Sequence, residues 1–354
     1  MMNGFFGRMK IRALTAGLMA VFAMMLILHV SSLAEEGGAA SPLPVRVLLL
    51  PKFEIGEIAG DFPGEAQYFY EQYLMGAEEY EIPCGIEENR LYYKDGIALY
   101  MLGEGKVNAA LNTMAVLSDP RFDFSRAYVL STGCAGSAIG TTVMGDVFVI
   151  TAAVDYDLGH HADGRDIADH GGTTWFHDPA WDSASVVVLN REVTDKVYGM
   201  VKDTPVGTTE RTRNFMRNAF DGANWAVRDP MVLQGTTVTG DNYWKGVHGH
   251  ENALLMTETY RCPDPYVTTE MEDVAVALTV KRMGFLDRLI VLRVSVNTDV
   301  FMLDATPESL WGGAEGVKLA DEESVEAVDI FETAMKNICD VGRIIIDAIL
   351  DGRF

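Results

Sequence analysis

Short uninterrupted apolar runs alternate along this chain with longer stretches in which apolar residues return every three or four positions. The runs are "VRVLLL" (45–50), "GIALYML" (96–102), "AYVLST" (127–132), "DVFVITAAV" (146–154), "MVLQGTTV" (231–238) and "RLIVLRVSV" (288–296). A strand that is apolar on both faces belongs inside a sheet covered by helices on either side. Helical spacing fits Gly64–Tyr73, Lys106–Leu117, Arg191–Lys202, Thr209–Ala219, Thr269–Met283 and a C-terminal segment from Glu322 to Leu350. The alternation predicts an α/β fold over residues 44–350: one domain, with a mostly parallel, twisted central sheet flanked by helices. Ligands of such sheets collect beyond the C-terminal ends of the strands. "GEGKVNAAL", "TGCAGS", "TGDNYW" and "VNTD" all follow predicted strands. The least regular stretches, 155–182 and 203–226, have the length of binding loops or lids.

The first 34 residues read differently. Arg8, Lys10 and Arg12 precede an apolar run from Ala13 to Val30, and Ser32 and Ala34 supply the small residues of a cleavage site. Residues 1–34 are therefore expected to be a signal peptide or an N-terminal anchor, which places the protein outside the cytoplasm. Beyond residue 34 no apolar stretch has the length of a membrane span. The whole chain carries a formal charge of −23, and removing the leader leaves 25 Lys and Arg against 51 Asp and Glu, or −26. Such a surface repels nucleic acid polymers and anionic lipid and excludes a basic-groove binder. A neutral small ligand is indifferent to it. Cys84, Cys134, Cys262 and Cys339 have no metal spacing, and their pairing stays open. The histidines, among them His160, His161, His170, His177, His248 and His250, form no H-E-x-x-H array, so no metal is expected. "GHH" and "HGH" read as polar surface loops, and no G-x-S-x-G elbow is present.

Each remaining motif has two readings. "LGEGKVNAAL" (102–111) is a Gly-flanked turn opening a helix, either a plain tight turn or a place where backbone N–H groups meet a ligand. The glycines of "STGCAGS" (131–137) serve close strand–helix packing or close approach to a ligand. "GDNYW" (240–244) offers two aromatics for the core or for stacking on a planar ring. In "TTEMEDVAVAL" (268–278), Thr269 and Glu272 fit a capping box, and Glu272 equally suits a pocket.

In this order, these blocks together with "EMEDVAVA" and "LRVSVNTD" resemble the nucleoside phosphorylase/nucleosidase superfamily. "GDFPGEAQ", "GEGKVNAA", "DPRFDFSRAYVL" and "GDNYW" are similar, more specifically, to proteins called purine nucleoside permeases. The resemblance spans residues 44–300 and implies the nucleoside phosphorylase-like fold, with a purine nucleoside as ligand. It implies that Glu272 accepts hydrogen bonds from the ribose hydroxyls while Met271 packs on the sugar. Tyr243 stacks on the purine, and the backbone near Trp244 reads the base edge. Glu65 activates water. Gly103, Cys134 and Gly136 line the sugar or nucleophile side. The resemblance also implies assembly as a homo-oligomer.

Two departures from the superfamily pattern shape the functional expectation. Phosphorylases hold phosphate with arginines in the early Gly-rich loop and in the block matching "STGCAG", and neither place has an arginine here. Hydrolysis is then favoured, with no cofactor; phosphate stays open as a co-substrate, because Arg121 or Arg126 can enter from elsewhere. Asn297 stands where nucleosidases carry an aspartate that protonates purine N7. An amide hydrogen-bonds N7 and a 6-oxo group but cannot act as an acid, which favours 6-oxopurine nucleosides. Asp299 is the alternative acid. The competing expectation is a non-catalytic receptor that captures nucleosides and passes them to a separate membrane transporter.

Overall fold

A computed structural model describes residues 41–162, 174–219, 228–303 and 325–354. The expected leader, His170 and parts of both irregular stretches lie outside these residues. Leu43 onward forms one compact unit. Among the described residues ten strands make its main sheet: β1 Val47–Leu50, β2 Glu78–Tyr80, β3 Leu91–Lys94, β4 Ile97–Leu99, β5 Tyr128–Ser137, β6 Val147–Asp155, β7 Val186–Val188, β8 Val232–Thr239, β9 Tyr266–Glu270 and β10 Leu289–Thr298. The order is β7-β6-β8-β9-β5-β1-β4-β3-β2, and β10 pairs with both β5 and β6. Strands β6, β8, β9, β5 and β10 thus close into a ring.

Parallel ladders join β1 to β4 and β5, β8 to β6 and β9, and β10 to β5. Antiparallel pairing closes the ring, where β10 meets β6 and β9 meets β5, and forms the edges. The uninterrupted apolar runs are the strands buried on both faces. In β1, Leu48 and Leu50 enter one apolar cluster and Val47 and Leu49 another. Successive side chains of a strand point to opposite faces, so each face needs its own cover.

The first cluster is covered by helices α2 (Lys106–Leu117) and α6 (Asp273–Arg282). The second is covered by α1 (Gln67–Tyr73), α3 (Arg191–Val201) and α7 (Val325–Leu350). Helices α4 (Glu210–Ala219) and α5 (Val247–Thr259) complete the described set of longer helices. No described helix is long and apolar enough to cross a membrane. The four cysteines are free.

Two local expectations change, and one pair of strands has no counterpart in the apolar pattern. The helix expected from Thr269 begins only at Asp273, because Tyr266–Glu270 pairs with β8 as a strand. Its β-branched "VTT" suits the pleat better than a helix. The "HGH" histidines lie on α5 rather than in a loop, and His250 is half-buried against Asp299. The edge hairpin β2–β3 is too polar to show as an apolar run.

Candidate active site

Helix α6 starts without a capping box. Thr269 is a strand residue whose hydroxyl donates to the Val238 carbonyl. The N–H groups of Glu272 and Asp273 instead donate to Glu270, each at 2.7 Å. Glu270 therefore satisfies the helix terminus and leaves the Glu272 side chain to other partners. Glu272 accepts from the Gly105 N–H at 3.0 Å and from Arg293 Nη2 at 3.1 Å. The "GEG" turn reaches it because Gly103 and Gly105 take positive φ values of 74° and 83°. Lys106 anchors the same turn, its ammonium held by Asp155 at 2.8 Å and Asp157 at 2.9 Å.

Arg293 lies in the middle of β10 and is 1% exposed. Its guanidinium forks onto Asp273 (2.7 and 2.9 Å), reaches Glu270 at 3.0 Å and donates Nη1 to the Cys134 carbonyl at 2.9 Å. Lys52, also buried, donates to Ser131 Oγ and to the carbonyls of Leu50 and Thr132. It stands 3.9 Å from Asp273. Glu65 is 4% exposed and accepts the backbone N–H groups of Lys52 and Cys134, each at 2.7 Å. Glu65 and Arg293 converge over Gly133, where a Cβ would stand 2.8 Å from the carboxylate and 2.6 Å from the guanidinium. The glycine of "STGC" is required by that crossing.

Four carboxylates (Glu65, Glu270, Glu272, Asp273) thus surround two cations where β1 and β9 end beside the middles of β5 and β10. Burial, followed by the Asp273 charge, pushes Glu270 from 4.5 up to about 7. Burial likewise raises Glu272 against the pull of Arg293. At Asp273 the burial penalty is overcome by Arg293 and Lys52, and the carboxyl stays below its ordinary value. Burial, with Arg293 beside it, lowers Lys52. The Cys134 thiol is pushed well up by burial and then by the Glu65 charge, so it is no nucleophile at neutral pH.

A consequence for stability follows. Between pH 4.5 and about 7 the folded chain holds a proton on Glu270 that the unfolded chain has lost. The stability tied to that proton is complete below 4.5 and is lost as pH rises to about 7. Glu270→Gln is expected to flatten the fall in urea midpoint between pH 5 and pH 8. The amide can still accept from the α6 N–H groups and donate to the hydroxyls of Thr237 and Thr239, which now donate to Glu270.

The residues that the resemblance assigns to the base form the neighbouring group. Register slips by one residue where β10 passes β5, between Ser295 and Asn297. Such a bulge re-aims the side chains beyond it. Asn297 lies against Gly136, where a Cβ would meet its Oδ1 at 2.8 Å, and its Nδ2 donates to the Tyr243 hydroxyl at 2.8 Å. Tyr243 is 47% exposed. Trp244 instead packs inward, stacked on Tyr156 with centroids 4.7 Å apart. Met271 is half-buried at the β9–α6 junction.

Asp299 is fully buried and spent on structure: it accepts from Ile139 N (3.1 Å) and the Tyr266 hydroxyl (2.9 Å) and pairs with His250 (2.6 Å). Arg121 lies with Asp119 and the Glu81 carbonyl, and Arg126 is exposed, so neither joins the site. His160 is exposed, on Asp178 and Trp181.

The candidate residues therefore fall into two groups carried by the same two strands: Tyr243, Asn297 and Gly136 in one, and Cys134, Glu65, Arg293 and Glu272 in the other. The sequence reading had no place for Lys52 and Arg293, and took Glu270 and Asp273 only as carboxylates at a helix mouth, not as site candidates. Arg293 carried a signal, a charge set inside an otherwise apolar strand.

The closed mixed sheet can be compared with solved structures. The chain superposes on 5'-methylthioadenosine/S-adenosylhomocysteine nucleosidase of Neisseria meningitidis with a TM-score of 0.51 and 16% identity, covering 86% of this chain and 99% of that one. A futalosine hydrolase mutant of Helicobacter pylori gives 0.52 and 15%, over 86% and 99% of the two chains. These likenesses establish the nucleoside phosphorylase-like fold. Residues 44–353 match the family described as purine nucleoside permease (NUP), and the chain belongs to that family. A Schizosaccharomyces pombe protein described as a purine nucleoside permease is 27% identical over 239 residues, covering 58% of this chain and 67% of the yeast protein.

Proposed function

We propose that this protein binds a purine nucleoside, with the base on Tyr243 and Asn297 and the pentose on Glu272, and hydrolyses its N-glycosidic bond. The observation that supports the reading is that β5 and β10 carry both groups, Tyr243 with Asn297 in one and Glu272 with Glu65 and Arg293 in the other. In this reading Tyr243 supplies a stacking ring and Asn297 an N7 donor, while the buried carboxylates face the sugar. Family membership supports a purine nucleoside as the ligand.

In this reading Glu272 accepts from the pentose hydroxyls, and its charge favours the oxocarbenium-like transition state. Glu65 takes a proton from water as the water attacks the anomeric carbon. Glu65 accepts the Lys52 and Cys134 N–H groups and the Cys134 thiol, which leaves one lone pair for that water. Asn297 donates to N7, drawing electron density into the base as the glycosidic bond breaks.

Hydrolysis is preferred to phosphorolysis on electrostatic grounds. Both buried cations are already engaged by carboxylates or carbonyls, and the centre holds more negative than positive charge, so a phosphate dianion meets repulsion. One observation favours a second reading, a receptor serving a separate membrane transporter: the group at the N7 position is an amide rather than an acid. The family's description and the expected leader both support an extracytoplasmic location. As in the superfamily, a homo-oligomer is proposed.

Incubating the purified protein with inosine, guanosine and adenosine, with and without phosphate, separates the readings. Hypoxanthine or guanine released without phosphate is the expected result. Release only with phosphate identifies a phosphorylase, and calorimetric binding without any product identifies a receptor.

A further inference from the structure

Lys245 stands apart from the other cations near the site. Its ammonium lies 5.6 Å from the centroid of the Tyr243 ring. Lys52, Lys106 and Arg293 are each held by carboxylates, yet Lys245 makes no salt bridge among the described residues. It is half-buried, and burial lowers its pKa, with Asp299 opposing the shift from beyond contact distance. The residue is also held in place. The next N–H, that of Gly246, donates to the Asp299 carbonyl at 2.8 Å, which ties this loop to the end of β10 that carries Asn297. Gly246 has a φ of 115°, and a Cβ there would meet Phe301 at 3.0 Å. Two donors, the Asn297 amide and the Lys245 ammonium, therefore flank one exposed aromatic ring.

Purines differ along the edge such a pair would face. A 6-oxopurine presents two acceptors there, N7 and O6, whereas adenine presents the N7 acceptor and an amino donor. We infer that Lys245 determines specificity for this site, donating to O6 of a 6-oxopurine nucleoside while Asn297 donates to N7. The inference rests on the nucleoside reading above and narrows it. In the free protein the ammonium occupies the face of Tyr243. The base takes that face, and the flexible four-carbon stem carries the ammonium to the base edge. Adenosine would set its amino group against the ammonium, leaving a half-buried cation without an acceptor.

The test compares inosine with purine riboside, which lacks the 6-substituent, and with adenosine, in wild type, Lys245→Met and Lys245→Arg. Apparent Kd by calorimetry and kcat/KM are both read. Wild type is expected to prefer inosine to either analogue by about a hundredfold or more, the scale for a site built to bond a polar substrate group. Lys245→Met should lose at least tenfold of that preference through the inosine value alone, with purine riboside unchanged. Lys245→Arg should restore part of it. An unchanged ratio in Lys245→Met, or an equal loss for all three nucleosides, overturns the role of Lys245 and leaves the nucleoside reading standing. If no nucleoside binds or is cleaved by wild type, both fall together.

Discussion

Replacing Glu272 with glutamine should leave the fold intact and lower inosine cleavage by about a hundredfold or more, the range seen when one electrostatic contact to a transition state is removed. A carboxylate can accept from two vicinal hydroxyls, whereas an amide offers a single acceptor oxygen and brings two unwanted donors. The amide also removes the negative charge beside the developing oxocarbenium ion. The fold should survive because Arg293 keeps its fork on Asp273 and its contact with Glu270. The check is kcat and KM for inosine beside a circular-dichroism melt. Unchanged cleavage in a folded variant takes Glu272 out of the mechanism. A receptor would show the loss in Kd instead.

Arg293→Met should cost about 3–5 kcal/mol of stability, the usual penalty for removing one partner of a buried ion cluster. Glu270, Glu272 and Asp273 would then share the site with Lys52 alone, and of the three only Asp273 lies within ion-pair distance of Lys52, at 3.9 Å. For a chain of this length the loss corresponds to a Tm lower by about 5–8 °C. The variant should recover part of it below pH 5, where its carboxylates protonate most readily. A melt within about 2 °C of wild type at neutral pH would show that the cluster does not depend on this guanidinium.

Much of the architecture was legible in the apolar pattern. β1, β5, β6, β8 and β10 are near-continuous apolar runs because helices cover both of their faces. The site was legible where chemistry forces an unusual residue. Gly133 and Gly136 leave no room for a Cβ beside Glu65, Arg293 and Asn297, and Gly105 turns its N–H to Glu272. Glu272 was readable as a carboxylate out of place, although the capping box beside it proved to be a strand end.

What the pattern could not show was partnership. Arg293, Lys52 and Asp273 are far apart in sequence, and their pairing exists only once the ring of strands closes. Asp299 had the right residue type for an acid, but a carboxylate already bonded to Ile139, Tyr266 and His250 has no such role to play. Helix α5 was hidden because its mixture of His, Gly and Glu weakens the helical period.

The account rests on one nucleoside bridging Tyr243 and Glu272. A crystal structure of the Glu65→Gln variant soaked with inosine examines this directly, since the substitution should slow hydrolysis while sparing both contacts. The purine is expected to lie on the Tyr243 ring with N7 at Asn297 and the ribose hydroxyls on Glu272. Inosine bound with its sugar away from Glu272, or at a different place on the protein, would contradict the account.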